Sequence, residues 1–318
     1  MMVSSTLGYL NNLATTTTLD VRTIVLSAGS SAPSDPFVIS GTTSTDGGSQ
    51  SEAFVLDTHA LPPGTTVALD NIEFVSVIGS ATVVGGAGDN YAVGDNSDQF
   101  ISLGAGDDTL VGGGGSDVVG SGSGMDGIDG EGGNDIVFGG EETDTVLGGL
   151  NEDVVYGNQG GDLLYGNQGL DTLYGGQDDD LAFGGQHTDI LYGNLGADTL
   201  YGNLGGDALY GGQGDDLVYG NLGGDTLVAG EGNDILYGGA GADRFEVGAG
   251  GVDEIADFSL GDGDIIALGG ILTDLAQVVA AAEAAADGGS DLDLGNGAMV
   301  RIIGVEPGDL TVGMFEVV

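Results

Sequence analysis

Apolar residues return at every ninth position through the middle of this chain. Leu110, Val119, Ile128, Val137, Val146, Val155, Leu164, Leu173, Ala182, Leu191, Leu200, Leu209, Val218, Leu227, Leu236 and Phe245 hold one register, and Ala92 and Ile101 extend it backward. Around each lies a six-residue glycine-rich stretch and a three-residue extended piece, whose central side chain points inward while its two neighbours point outward. One inward residue per unit cannot form a core. Two successive units facing each other can, as one turn of a flattened right-handed coil with a thin parallel sheet on each face. Residues 85–246 make eighteen units without insertion or deletion. Nine coils at about 4.8 Å between strands would stack to roughly 40 Å.

A second column runs in phase, two residues ahead. It contains Asp108, Asp117, Asp126, Asp135, Asp144, Asp153, Asp162, Asp171, Asp180, Asp189, Asp198, Asp207, Asp216, Asp225, Asp234 and Asp243. Carboxylates held in constant register repel one another, so the column implies a cation. Position 1 of the unit is Gly except at Leu103, Ser121 and Ala229. Turns this tight need positive φ, which Gly takes freely and Asn next best, and Asn158, Asn167, Asn194, Asn203 and Asn221 stand at position 2. Asn90 and Gln99 replace Asp in the first two units, where metal binding should be weak or missing. Position 4 loses Gly at Ser97, Glu142, Asn151, Asp178 and His187. Irregular turns are expected around units seven, eight, eleven and twelve.

Laid out in nines, a unit such as Gly211-Gly212-Gln213-Gly214-Asp215-Asp216-Leu217-Val218-Tyr219 resembles the nonapeptide G-G-x-G-x-D-x-U-x of the repeats-in-toxin (RTX) calcium-binding family. The resemblance implies an all-β fold, a right-handed parallel β-roll. It also implies calcium between stacked turns, with the sixteen aspartates as metal ligands and turn carbonyls supplying most other oxygens. Such a roll would offer roughly fourteen to sixteen inter-turn sites of six to eight oxygens each.

The composition narrows the partners. The chain has 318 residues, 67 Gly, no Cys, no Trp, no Lys, three Arg and a net charge of -47. Self-repulsion on that scale opposes any compact state without counter-cations. No basic patch exists to displace counterions from phosphate, so nucleic acid is not a partner. No apolar run is long enough for a transmembrane segment. Residues Met1 to Leu10 lack the basic and apolar regions of a cleaved signal peptide. Calcium sites of this kind would fill at the millimolar levels outside cells, which points to a secreted, extracellular or cell-surface protein.

Three regions follow: an N-terminal β-rich domain or cap over 1–76, the roll over 77–246, and a C-terminal cap with secretion signal over 247–318. Strands are expected at Val21 to Ser27, at Ala53 to Asp57 and within Asn71 to Ser80. Beyond the repeats, Asp253 to Phe258 and Gly261 to Ile266 look like the exit of an RTX cassette. Thr273 can cap a helix running to about Ala286, and Gly295-Asn296-Gly297 signals a hairpin. The end, Asp309 to Val318, is similar to the uncleaved C-terminal signal of type I secretion substrates, making the type I exporter an expected partner.

Catalysis finds little support. The only histidines are His59 and His187, H-E-x-x-H and G-x-S-x-G are both absent, and a triad of His59, Asp57 and Ser51 has only proximity in its favour. Tyr156, Tyr165, Tyr174, Tyr192, Tyr201, Tyr210, Tyr219 and Tyr237, with Phe138 and Phe183, occupy position 9. They would form an outward aromatic ladder on each face, as ordinary strand residues or as a contact surface. The sequence therefore suggests a secreted, non-enzymatic, calcium-binding structural protein of the cell surface or matrix that self-associates. The alternative is an extracellular adhesin or a glycan- or ice-binding module. Position 9 lacks the Thr ladder that would favour ice.

Overall fold

In the computed structural model, the described residues are 18–27, 32–40, 50–70, 72–247, 250–268, 275–285, 288–295 and 297–317. Two compact units divide the chain, Met1–Tyr156 and Gly157–Val318.

The first unit contains two parallel sheets. One orders Thr18–Ser27, Gln50–Ala60, Phe74–Ile78, Tyr91–Val93, Thr109–Gly114, Gly127–Gly132 and Thr145–Leu150. The other orders Phe37–Ser40, Thr66–Asp70, Thr82–Val84, Phe100–Ser102, Val118–Gly120 and Ile136–Glu141. The strands expected near residues 21–27 and 53–57 are longer than the sequence suggested and lie parallel to the strands that follow them.

The second unit repeats the arrangement. Leu163–Gln168, Leu181–Gln186, Thr199–Leu204, Leu217–Leu222, Ile235–Ala240, Val252–Ile255 and Ala298–Ile302 form one parallel series. Thr172–Gln177, Ile190–Leu195, Ala208–Gln213, Thr226–Glu231, Arg244–Val247, Ile265–Leu268 and Phe315–Val317 form the other. Strands alternate between the two sheets, and each repeat pairs with the one two nonapeptides away, as in Leu163↔Leu181. This is an all-β parallel solenoid of the β-roll kind.

The apolar column forms the core. Every position 8 side chain from Ala92 to Phe245 is at most 1% exposed. A fully buried Leu contributes about 1.5–3 kcal/mol. Each coil holds only two such residues, so coils depend on their neighbours, as in other solenoids.

Two expectations need correction. Most repeat strands span six residues rather than three, as in Leu163–Gln168. They continue through the glycine positions because Asn167 and Gln168 still pair with Gly185 and Gln186 one coil on. The turns at the irregular units are also regular: Glu142, Asn151, Asp178 and His187 take φ of 79°, 79°, 71° and 80°. All four side chains are exposed, so the fold demands only the left-handed backbone of them, and pairings such as Gly127↔Thr145 and Ile190↔Ala208 keep register.

Past the repeats, the helix is shorter than expected, Leu275–Ala280. It ends early because Glu283–Ala284 pairs antiparallel with Ser290 and Asp291. Thr273 and Asn296 lie outside the described residues. Ser290–Gly295 and Ala298–Ile302 form the expected hairpin, clamped by Arg301 donating to Asp291 at 2.8 Å. Arg244 reaches Glu246 and, on the C-terminal strand, Glu316, each at 3.6 Å.

Candidate metal centre

The Asp column is buried. All sixteen side chains are at most 4% exposed, and each stands where the turn enters its strand. Stacking brings them together in a way that the nine-residue pattern does not reveal. The backbone N–H of one Asp donates to Oδ1 of the Asp eighteen residues on: Asp108 to Asp126 and Asp117 to Asp135 in the first unit, at 2.7 and 2.8 Å. In the second unit, the series Asp162, Asp180, Asp198, Asp216, Asp234 and the series Asp171, Asp189, Asp207, Asp225, Asp243 do the same, at 2.8–2.9 Å. The Asp carbonyl accepts the N–H of the residue following the next Asp in its column, as from Ala208 to Asp189 at 2.9 Å.

One carboxylate oxygen is thus a structural rung, and the other is left over. Oδ2 of Asp117, Asp135, Asp180, Asp189, Asp198, Asp207, Asp216, Asp225, Asp234 and Asp243 is buried without a hydrogen-bond partner. Such atoms are costly in a protein interior. Burial accordingly raises these carboxyls, with N–H donation from the preceding coil opposing it and, at most of them, neighbouring carboxylates adding to it. Asp180 and Asp189 are pushed up to about 8, Asp117, Asp216 and Asp225 to about 7, and Asp135 and Asp198 to about 6.

Nine of these ten oxygens face a space left open by a glycine at position 1; at Asp234 that position is Ala229. A β-carbon on Gly184 would lie 2.7 Å from Asp189 Oδ2 and 2.9 Å from the carbonyl of Gly202, one coil on. On Gly130 it would lie 2.6 Å from Asp135 Oδ2 and 2.5 Å from the Gly148 carbonyl. A carboxylate and a carbonyl aimed at one small space are a hard-oxygen donor set of the kind that calcium takes. The residues therefore fit calcium. Among the described residues no three His, Cys, Asp or Glu side chains form a metal-holding group, so the remaining donors of such a cage must be backbone carbonyls.

The ends of the column differ. Gln99 donates its N–H to Asp117 Oδ1 at 2.7 Å, yet its own amide oxygen fills the cradle at Gly94, and its amide nitrogen bonds Asp95. Asn90 turns its amide toward the Ile72 carbonyl at 3.1 Å. Two further members, absent from the predicted set, lie beyond the strict frame: Asp253 accepts from Asp234, and Asp264 accepts from Asp243 at 3.0 Å. Asp264 spends its second oxygen on Ser259 N–H at 2.7 Å, which closes the column. The only sequence clue to them was burial-compatible Asp just ahead of apolar strands, at spacings of 19 and 21.

The family described as RTX calcium-binding nonapeptide repeat matches this sequence in overlapping segments, 84–119, 93–128, 120–155, 147–182, 183–218 and 219–251. Together they cover more than half of the chain. It belongs to the RTX calcium-binding nonapeptide repeat family. No match was found among curated proteins. Among solved structures, the RTX chain is similar to the extracellular lipase LipA from Serratia marcescens, at 18% identity with a TM-score of 0.24. That likeness covers 57% of this chain and 39% of the lipase, so the chain spans well under half of that protein.

His59 Nδ1 lies 2.9 Å from Asp57 Oδ1 on the surface, with a side chain 64% exposed. The Ser51 side chain lies outside the described residues. His187 sits in an exposed turn against the Gln186 carbonyl at 2.8 Å. The RTX aromatic column is a stack: Tyr165, Phe183, Tyr201, Tyr219 and Tyr237 follow one another at centroid distances of 4.7–5.0 Å on one sheet, and Tyr174, Tyr192 and Tyr210 at 4.7–5.0 Å on the other.

Proposed function

We propose that the sixteen position 6 aspartates are the calcium ligands of this RTX protein. We further propose that it is a secreted, non-enzymatic structural component of the cell surface or extracellular matrix. The observation that carries the first part is the repeated pairing of a buried, unpartnered Oδ2 with a carbonyl across a glycine cradle. Bound calcium would supply the positive charge that lets these carboxylates stay ionised while buried. The chain's own residues do the rest: Oδ1 fixes the coil spacing, the glycines keep the cradle open, and the apolar column closes as the coils stack. Export through a type I system fits this logic, because an acidic chain short of calcium stays open and folds where the metal is plentiful.

The structural assignment rests on the absence of catalytic motifs and on two sheet faces rich in aromatic and amide side chains. The same reading takes residues 1–76 as an N-terminal β-rich domain or cap, 77–246 as the metal-binding roll, and 247–318 as the closing cap with the export signal. Electron microscopy with and without millimolar calcium tests it. Ordered assemblies are expected only with calcium, and isolated particles under both conditions would remove the structural role.

The ligand assignment has its own check in Gly184→Ala. Gly184 needs no left-handed backbone, so the methyl group tests space alone. The variant should keep its β-roll circular dichroism in calcium while losing about one bound ion by equilibrium dialysis. An unchanged stoichiometry would show that the cradle holds no metal.

A further inference from the structure

One face of the second unit stands apart in a molecule of net charge -47. The five strands Leu163–Gln168, Leu181–Gln186, Thr199–Leu204, Leu217–Leu222 and Ile235–Ala240 include no charged residue and no histidine. Their outward positions carry the five-ring aromatic stack. Leu204 and Leu222 protrude at 47% and 54% exposure, and Ile235 is 37% exposed. The opposite face has a shorter uncharged run, Thr172–Gln177, Ile190–Leu195 and Ala208–Gln213, before Glu231; on the first face the next charges are Asp253 and Glu254, on the strand after Ile235–Ala240.

Resting on the self-association reading above, we infer that this uncharged face is the contact of a two-fold dimer with a second copy of the chain. Three features favour that occupant. First, the ring planes of the stack lie within 13° of parallel, so each interior ring spends its faces on its neighbours and offers only its edge. A glycan stacking on aromatic faces finds none free along the ladder, whereas a second ladder of the same pitch can interdigitate edge to edge.

Second, the face is self-complementary. A groove of about 460 Å³ lies toward its N-terminal end, lined by Tyr165, Phe183, Gly185 and Gln186 and bordered by Leu204. Leu204 and Leu222 continue the column of Gln168 and Gln186 toward the other end. A two-fold axis along the strands reverses the stack and lays the leucines of one copy over the groove of the other, the isologous arrangement of closed dimers. Third, the area comes close to what a specific contact needs. Five strands at about 4.8 Å and six residues at about 3.3 Å give roughly 480 Å² per copy, and the roughly 960 Å² of the pair lies just under the about 1,000 Å² of a specific interface.

Sedimentation velocity on the full chain in millimolar calcium tests the inference, with circular dichroism reading folding separately. The wild type should be a dimer. The double variant Leu204→Lys, Leu222→Lys should fold with calcium as before but dissociate at least about a hundredfold more readily, since each copy would bring two charges to be desolvated at the contact. Leu195→Lys with Gln213→Lys, the same column on the opposite face, should leave the dimer intact. A folded wild type that stays monomeric, or a dimer indifferent to the Leu204 and Leu222 changes, overturns the inference while leaving calcium-driven folding standing. A wild type that does not fold in calcium overturns both, and a folded monomer that binds a glycan through this face gives the face to that ligand instead.

Discussion

Chelating calcium at neutral pH is expected to unfold the repeats, with the far-ultraviolet circular dichroism moving from β to coil and returning when millimolar calcium is restored. The magnitudes favour a complete transition over a partial loosening. A site at a hundredfold excess of ion over Kd stabilises the folded chain by about 2.7 kcal/mol. Four or five such sites equal the whole stability of an ordinary domain, about 5–15 kcal/mol. Without the ion, the fold must keep a column of buried carboxylates whose Oδ2 atoms have no donor, within a chain of net charge -47. Magnesium should not replace calcium, because it demands near-ideal octahedral geometry and sheds water reluctantly. A chain whose β signal persists in chelator would refute coupled folding.

Acid should partly substitute for calcium. Burial raises the carboxyls of Asp180 and Asp189 to about 8 and those of Asp117, Asp216 and Asp225 to about 7 in the metal-free fold. In the unfolded chain they titrate near the ordinary value of about 3.9. The folded pKa lies above the unfolded one, so the metal-free fold binds more protons than the coil. Its stability is therefore greatest below about pH 4 and is lost as pH rises toward about 8. In buffer stripped of calcium by resin, lowering the pH from roughly 8 to roughly 4 should recover β signal. In calcium the dependence reverses, since protons compete for the same oxygens and the midpoint calcium concentration should rise as pH falls. A metal-free chain that becomes less ordered on acidification would contradict the burial assigned to these aspartates.

Most of the architecture was legible because the repeat imposes one environment on every column. An apolar residue such as Leu200 and an Asp such as Asp198, two positions apart in every unit, could be assigned to core and edge from spacing alone. The extent of the strands was not legible, because Asn167 and Gly185 look like turn residues and yet pair across the sheet. The double employment of each Asp was hidden for a different reason: Oδ1 finds its donor eighteen residues away, a distance that appears only once two nonapeptides are known to make a coil. Asp253 and Asp264 escaped because the chain leaves the nine-residue frame while the stacking continues. Glu142 and His187 are residues for which a left-handed backbone is costly, yet both adopt it with exposed side chains, and the coils around them keep register.

The carboxylate rungs also have a direction. In each unit the N–H of an Asp is satisfied by the Oδ1 of the coil that follows it in sequence, never by the one before. Every coil is a template waiting for its downstream neighbour. At these rungs a break leaves a buried Asp N–H on the upstream side and a carboxylate oxygen on the downstream side. The two ends of the stack therefore present different groups, and Asp253 and Asp264 supply the last acceptors at the C-terminal end.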